Sequence, residues 1–155
     1  MSKSVRRVTR AAIELGLEIE ILRMGASSRS AGDAAAACGC DVGQIVKSLI
    51  FKRQDGALVL LLTPGDHQAD LSLAADIAGG ALSRADAAEV RERTGFAIGG
   101  VSPIGHLESP QVWMDEALFQ HAKVWAAAGA PDAVFAVTPE DLRRATGAEI
   151  ARFSA

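Results

Sequence analysis

Two stretches of this chain carry groups able to do chemistry. The first is Gln44-Ile45-Val46-Lys47-Ser48-Leu49-Ile50-Phe51, where a single lysine interrupts an apolar run. A lysine there either snorkels from a sheet edge and guards it against aggregation, or points into a pocket. In a pocket its ammonium can hold a phosphate or orient a carbonyl-bearing substrate. The second stretch is Gly99-Gly100-Val101-Ser102-Pro103-Ile104-Gly105-His106. Glycine admits backbone conformations closed to other residues, and proline fixes φ and removes an N–H. Such a segment forms a rigid loop whose backbone can approach another molecule closely. His106 has no evident serine or aspartate partner, and a loop histidine of this kind is more often hydrogen-bonded or exposed than a base.

Other chemistries lack their signatures. There is no Gly-x-Ser-x-Gly elbow, no glycine run followed by Lys-Ser or Lys-Thr, and no dinucleotide fingerprint: Gly100 and Gly105 have the wrong spacing, with a proline between them. Cys38 and Cys40 are too close in sequence for an ordinary disulfide with each other, and two thiolates do not complete a zinc site. With His67, His106 and His121 scattered, no metal and no cofactor is expected, and the cysteines read as structural thiols. The net charge of −3 argues against a general nucleic-acid coat, though not against a grip on one RNA end. Local basic clusters persist at Arg6, Arg7 and Arg10, at Lys47, Lys52 and Arg53, and at Arg84, Arg91 and Arg93, where a solvated face is the plainer reading.

The elements that must position these groups follow from periodicity. Val5, Val8, Ala12 and Leu15 predict an amphipathic helix over 4–15, and alternation at Leu17, Ile19 and Ile21 predicts a strand. Ser30 caps an alanine-rich helix that stops at Gly39. Residues 45–53 and 57–63, joined by Gln54-Asp55-Gly56, form a hairpin that carries Lys47. Helices are expected near 71–78 and 85–94, with a short strand at 81–83 between them. The glycine loop follows. Strands at 112–114, 124–127 and 133–137 come next, with Asp115 capping a short helix and Thr138-Pro139-Glu140-Asp141 opening the last one. At 155 residues, 49% apolar and 23% charged, the chain suits one α/β domain over 1–155, with a mixed sheet because hairpins and helical crossovers both occur. No run is long enough to span a membrane and no secretory signal is evident, so the cytoplasm is the expected compartment.

In this order, Ile45-Val46-Lys47-Ser48-Leu49-Ile50-Phe51, Thr94-Gly95, the loop from Gly99 to His106, and Val112-Trp113-Met114-Asp115-Glu116-Ala117-Leu118 resemble the YbaK-type family, the prolyl-tRNA synthetase-associated or insertion-type editing domains. The resemblance runs from the first helix to the last. It implies a mixed, mostly antiparallel, barrel-like sheet surrounded by helices. It also implies a trans-editing deacylase that hydrolyses the ester of a small noncognate amino acid on a tRNA 3′ acceptor end, most often tRNA for proline, with a synthetase as a possible partner. The family's lysine maps onto Lys47, and its Gly-x-x-x-Pro loop onto Gly99, Gly100, Val101, Ser102 and Pro103, which are the expected catalytic group. Ser48, Gly105, His106 and Asp115 are the substrate-binding candidates, with an N-cap as the bland alternative for Asp115. The family's alanine-selective branch has asparagine after the lysine, where this chain has Ser48. A non-catalytic module holding an RNA end or a small ligand is the competing reading. A third, an interaction domain, requires an exposed apolar edge and no pocket between Lys47 and the glycine loop.

Overall fold

The computed structural model describes residues 2–25 and 30–155; Met1 and residues 26–29 of the expected 1–155 domain lie outside the described residues. Ser2 accepts the Val5 N–H and opens α1 (Lys3–Glu14), which buries Val5, Val8 and Ala12 along one face. The strand expected at 17–21 is displaced. Leu17 and Ile19 still pack inward, but pairing begins only at β1 (Ile21–Arg23), where Ile21 meets Phe135. Alternation identifies a buried face, and a strand also needs a partner edge.

Beyond α2 (Ala31–Cys38) and a short 3-10 turn at Val42–Gln44, β2 (Val46–Arg53) and β3 (Leu58–Pro64) form the expected hairpin, with Lys47 opposite Thr63. Every residue of β3 is buried. Its continuous apolar run has a direct cause: Leu60 and Leu62 face one core with Val8, Phe96 and Phe135, while Val59 and Leu61 face a second with Ala74, Trp113 and Phe153. The chain continues through α3 (Leu71–Ala78), β4 (Leu82–Arg84), α4 (Ala87–Thr94), the glycine loop and β5 (Gln111–Asp115), then β6 (Val124–Ala127), β7 (Ala133–Val137), α5 (Pro139–Thr146) and β8 (Glu149–Ala151). The three-residue β8 has no legible signal in the sequence. It pairs with β5 in parallel because Asp115, at the end of β5, captures the chain just beyond it.

The mixed, mostly antiparallel α/β architecture is present, but its strands do not close into a barrel. They form a five-stranded sheet, β4-β2-β3-β5-β8, and a three-stranded sheet, β1-β7-β6. An isolated bridge from Ile45 to Trp125 joins them. No described helix is long and apolar enough to cross a membrane.

Candidate active site

The way β2 is paired creates the site. One edge is zipped to β3 along its length. The other meets β4 only from Phe51 to Arg53, and the bridge to Trp125 comes just before the strand, at Ile45. Residues 46–50 therefore run along an edge that, among the described residues, no strand covers. Two adjoining lobes open there, of about 370 and 400 Å³, and Lys47, Ser48, Leu49, Ile98, Gly99 and Val101 line both. The lysine and the front of the glycine loop thus converge, although half the sheet separates them in sequence.

Lys47 is half-buried, and its ammonium donates to the His67 carbonyl. Burial pushes its pKa below the usual lysine value, and the nearby Asp66 carboxylate partly opposes that shift. Its acceptor is anchored from behind. His67 Nδ1 lies 2.9 Å from Ser154 Oγ, which lies 2.7 Å from Asp115 Oδ2. The carboxylate can only accept, so Ser154 donates to Asp115 and His67 Nδ1–H donates to Ser154. Asp115 is 1% exposed and also accepts the N–H groups of Phe153 and Ala117. It does not line the Lys47 lobes. It caps the 3-10 turn at Glu116–Gln120, as the blander reading had it, and it ties down the tail that holds His67.

The glycine loop is divided between two sides of the molecule. Gly100 N–H donates to Ala97 O, closing a turn with Gly99 at its third position and φ +95°, a conformation that requires glycine. Among the described residues, neither the Gly99 nor the Val101 N–H meets a protein acceptor. Gly100 instead packs on Ala130, whose Cα would lie 3.0 Å from an added Cβ. Ser102 is fully buried and spends its Oγ on the Ile104 N–H. Pro103, Gly105 and His106 line a separate cleft of about 340 Å³ against α1 and α5. Arg7 of α1 fastens this rear half by donating to the Gly95 and Gly105 carbonyls at 2.7 Å each, with its guanidinium over the Phe96 ring. Gly99 and Val101 of the expected catalytic group line the lobes with Lys47; Gly100 and Ser102 are packed inside, and Pro103 lies on the other cleft.

His106 Nε2 lies 2.6 Å from the Ser102 carbonyl and must be the protonated nitrogen, which leaves a buried Nδ1 without a partner among the described residues. Its ring meets Phe96 edge-on, and burial pushes its pKa down to about 4. The residue is therefore neutral at pH 7. It faces away from Lys47, so it is not poised as a base for these lobes.

Ser48 does border the lobes, and its Oγ is buried without a protein partner among the described residues. The larger lobe is otherwise lined mainly by alkyl groups, among them Ala31, Ala34, Ile45, Ala127 and Val134, with Trp125 as its aromatic member. Apart from Ile45, which belongs to the lysine motif, sequence reasoning did not find these residues, nor the supporting His67 and Ser154. Each lies on an element whose position only the sheet topology defines. Cys38 and Cys40 are free thiols with pKa values raised by burial, and the described residues contain no cluster of three potential metal ligands.

Residues 26–145 match the aminoacyl-tRNA editing domain family. The chain belongs to the aminoacyl-tRNA editing domain family. The editing domain is 30% identical over 125 residues to the uncharacterized protein YwhH of Bacillus subtilis (strain 168), covering 81% of this chain and 80% of that one. It is 44% identical, with a TM-score of 0.95, to a solved structure described as a "putative trans-editing enzyme for prolyl tRNA synthetase", covering 100% and 99% of the two chains. A stretch of 65 residues is 40% identical to the proline–tRNA ligase of Thermosipho africanus (strain TCF52B), 41% of this chain but 11% of that larger protein.

Proposed function

We propose that the editing domain is a trans-acting deacylase that hydrolyses the ester between a small noncognate amino acid and the 3′ end of a tRNA, tRNA for proline first among them. The observation that carries this reading is the convergence on one cleft of Lys47 with Gly99 and Val101, whose N–H groups meet no protein acceptor among the described residues, where those residues form no Ser-His-Asp triad. Membership of the editing family and the likeness to a protein described as a trans-editing enzyme support it.

An aminoacyl ester is already activated, so positioning and charge stabilisation suffice. Water adds to the ester carbonyl carbon, the bond from that carbon to the ribose oxygen breaks, and the ribose oxygen takes up a proton. The free N–H groups of Gly99 and Val101 bind the carbonyl oxygen as negative charge develops on it. Lys47, held by His67, fixes the neighbouring phosphate or carbonyl. The vicinal ribose hydroxyl orients the water. The larger lobe receives the amino-acid side chain, and its volume and mainly alkyl lining suit a small one; Ser48 Oγ, buried there without a protein partner among the described residues, can meet a hydroxyl if the side chain carries one.

Lys47→Ala lowers deacylation of mischarged tRNA by about 100-fold or more while circular dichroism and melting stay close to wild type. A folded variant that retains its rate removes Lys47 from the mechanism. A panel of alanyl, 2-aminobutyryl, cysteinyl, seryl and threonyl esters on tRNA for proline, then on other tRNAs, tests the substrate. Equally fast hydrolysis of a bulky phenylalanyl ester would overturn the small-side-chain assignment.

A further inference from the structure

The larger lobe is apolar and the ester-binding groups lie on the boundary between the two lobes, which leaves the smaller lobe for the rest of the substrate. Gln68, Leu71, Arg84 and Ile98 are among its lining residues. Leu71 and Ile98 are 41% and 61% exposed, unusual for large alkyl side chains beside a cleft. Its volume of about 370 Å³ falls within the range of ordinary small-ligand sites.

Charge distinguishes Arg84 from its neighbours. Lys52 pairs with Glu89, Arg53 with Asp55, and Arg93 with both Glu89 and Glu108. Lys47 donates to the His67 carbonyl and, in the reading above, serves the ester end of the cleft. Arg84 sits on β4 opposite Phe51 and is exposed, and among the described residues it forms no ion pair or side-chain hydrogen bond. It is a free guanidinium at the mouth of a cleft with alkyl walls. Exposed alkyl surface next to an unpaired cation suits the face of a nucleobase and its phosphate, since guanidinium matches phosphate in two-point geometry.

We propose that this smaller lobe holds the 3′-terminal nucleotide of the RNA, with Arg84 on its phosphate and Leu71 and Ile98 against the base. The assignment rests on the deacylase reading and fixes the direction in which the substrate lies: amino acid towards Trp125, RNA towards β4.

The test compares Arg84→Ala and Arg84→Lys on two substrates, an aminoacyl-tRNA and a 3′-O-aminoacyl-adenosine that carries no phosphate. Arg84→Ala is expected to raise KM for the tRNA about tenfold with kcat nearly unchanged. It also flattens the dependence of log kcat/KM on log salt by about 0.7, the loss of one single-strand phosphate contact. Arg84→Lys recovers part of the loss, and the aminoacyl-adenosine is hydrolysed at the wild-type rate by both variants. Equal losses on the two substrates, or no change on the tRNA, overturn the proposal. Binding of an RNA hairpin with an amide-linked aminoacyl group separates the two readings. If wild type hydrolyses no ester but binds the hairpin in an Arg84-dependent way, the deacylase reading falls and the nucleotide lobe stands. If it neither hydrolyses nor binds, both fall.

Discussion

Gly99 stands at φ +95° with nothing within 4 Å of where a Cβ would be, so a side chain there meets strain and open space rather than a clash. Gly99→Val is expected to cost about 1–2 kcal/mol of stability from the left-handed backbone. Its effect on deacylation should be much larger, because the new side chain stands at the cleft beside Lys47. Denaturant melts alongside rate measurements check this, and an intact rate would make the turn purely structural. His106 gives a pH signature instead. Its folded pKa of about 4 lies below the unfolded value of 6.5, so the unfolded chain binds more protons between them. The stability it contributes is present above about pH 6.5 and is lost as pH falls towards 4, to a total of about 3 kcal/mol. His106→Gln, which can still donate to the Ser102 carbonyl, should flatten melting temperature against pH across that window. An unchanged slope would mean that another group carries the acid sensitivity.

Among the elements, β2 shows how a small gap in pairing becomes a site. β4 is three residues long and the bridge at Ile45 is isolated, so the middle of an otherwise well-paired strand is left with a free edge. Lys47 is held there by the loop after β3, which is itself held by the tail after β8 through Ser154 and Asp115. Ser154→Ala removes the link between His67 and Asp115 and should cost about 1–2 kcal/mol. Because burial already lowers the Lys47 pKa, the enzyme-dependent rate should fall on the alkaline side below the pH at which a free lysine titrates. If Ser154 positions the lysine, Ser154→Ala moves that limb. A loss of stability with an unmoved limb would confine Ser154 to folding.

At the scale of the molecule, the last residues complete a site begun a hundred positions earlier. Gln68 and Ala155 exchange main-chain hydrogen bonds, Phe153 is fully buried, and its carbonyl accepts the Asp70 N–H that precedes α3. Removing residues 152–155 is expected to cost about 3–5 kcal/mol through Phe153 alone and to depress deacylation further by freeing the His67 loop. Chemical denaturation and rates on the shortened chain measure both. An unaltered melt would show the tail to be a passive strap. The hairpin, the capped helices at Ser30 and Thr138, and the turn glycines were legible because each depends on neighbours within a few positions. The displaced β1, the unsignalled β8 and the open, two-sheet arrangement were not, because each depends on an edge supplied from elsewhere in the chain.

The sequence alone determined that a lysine in an apolar strand and a glycine loop were the groups to watch, since residue type and spacing decide what a backbone can adopt and what a side chain can donate. Tertiary structure decided which of them meet. It placed Gly99 and Val101 at Lys47, turned His106 and Pro103 to the other side, and reassigned Asp115 to anchoring the tail. A loop's two halves can face opposite sides of the molecule, and only the surfaces packed against them, Arg7 and α1 behind and the uncovered edge of β2 in front, fix which half faces the cleft at Lys47.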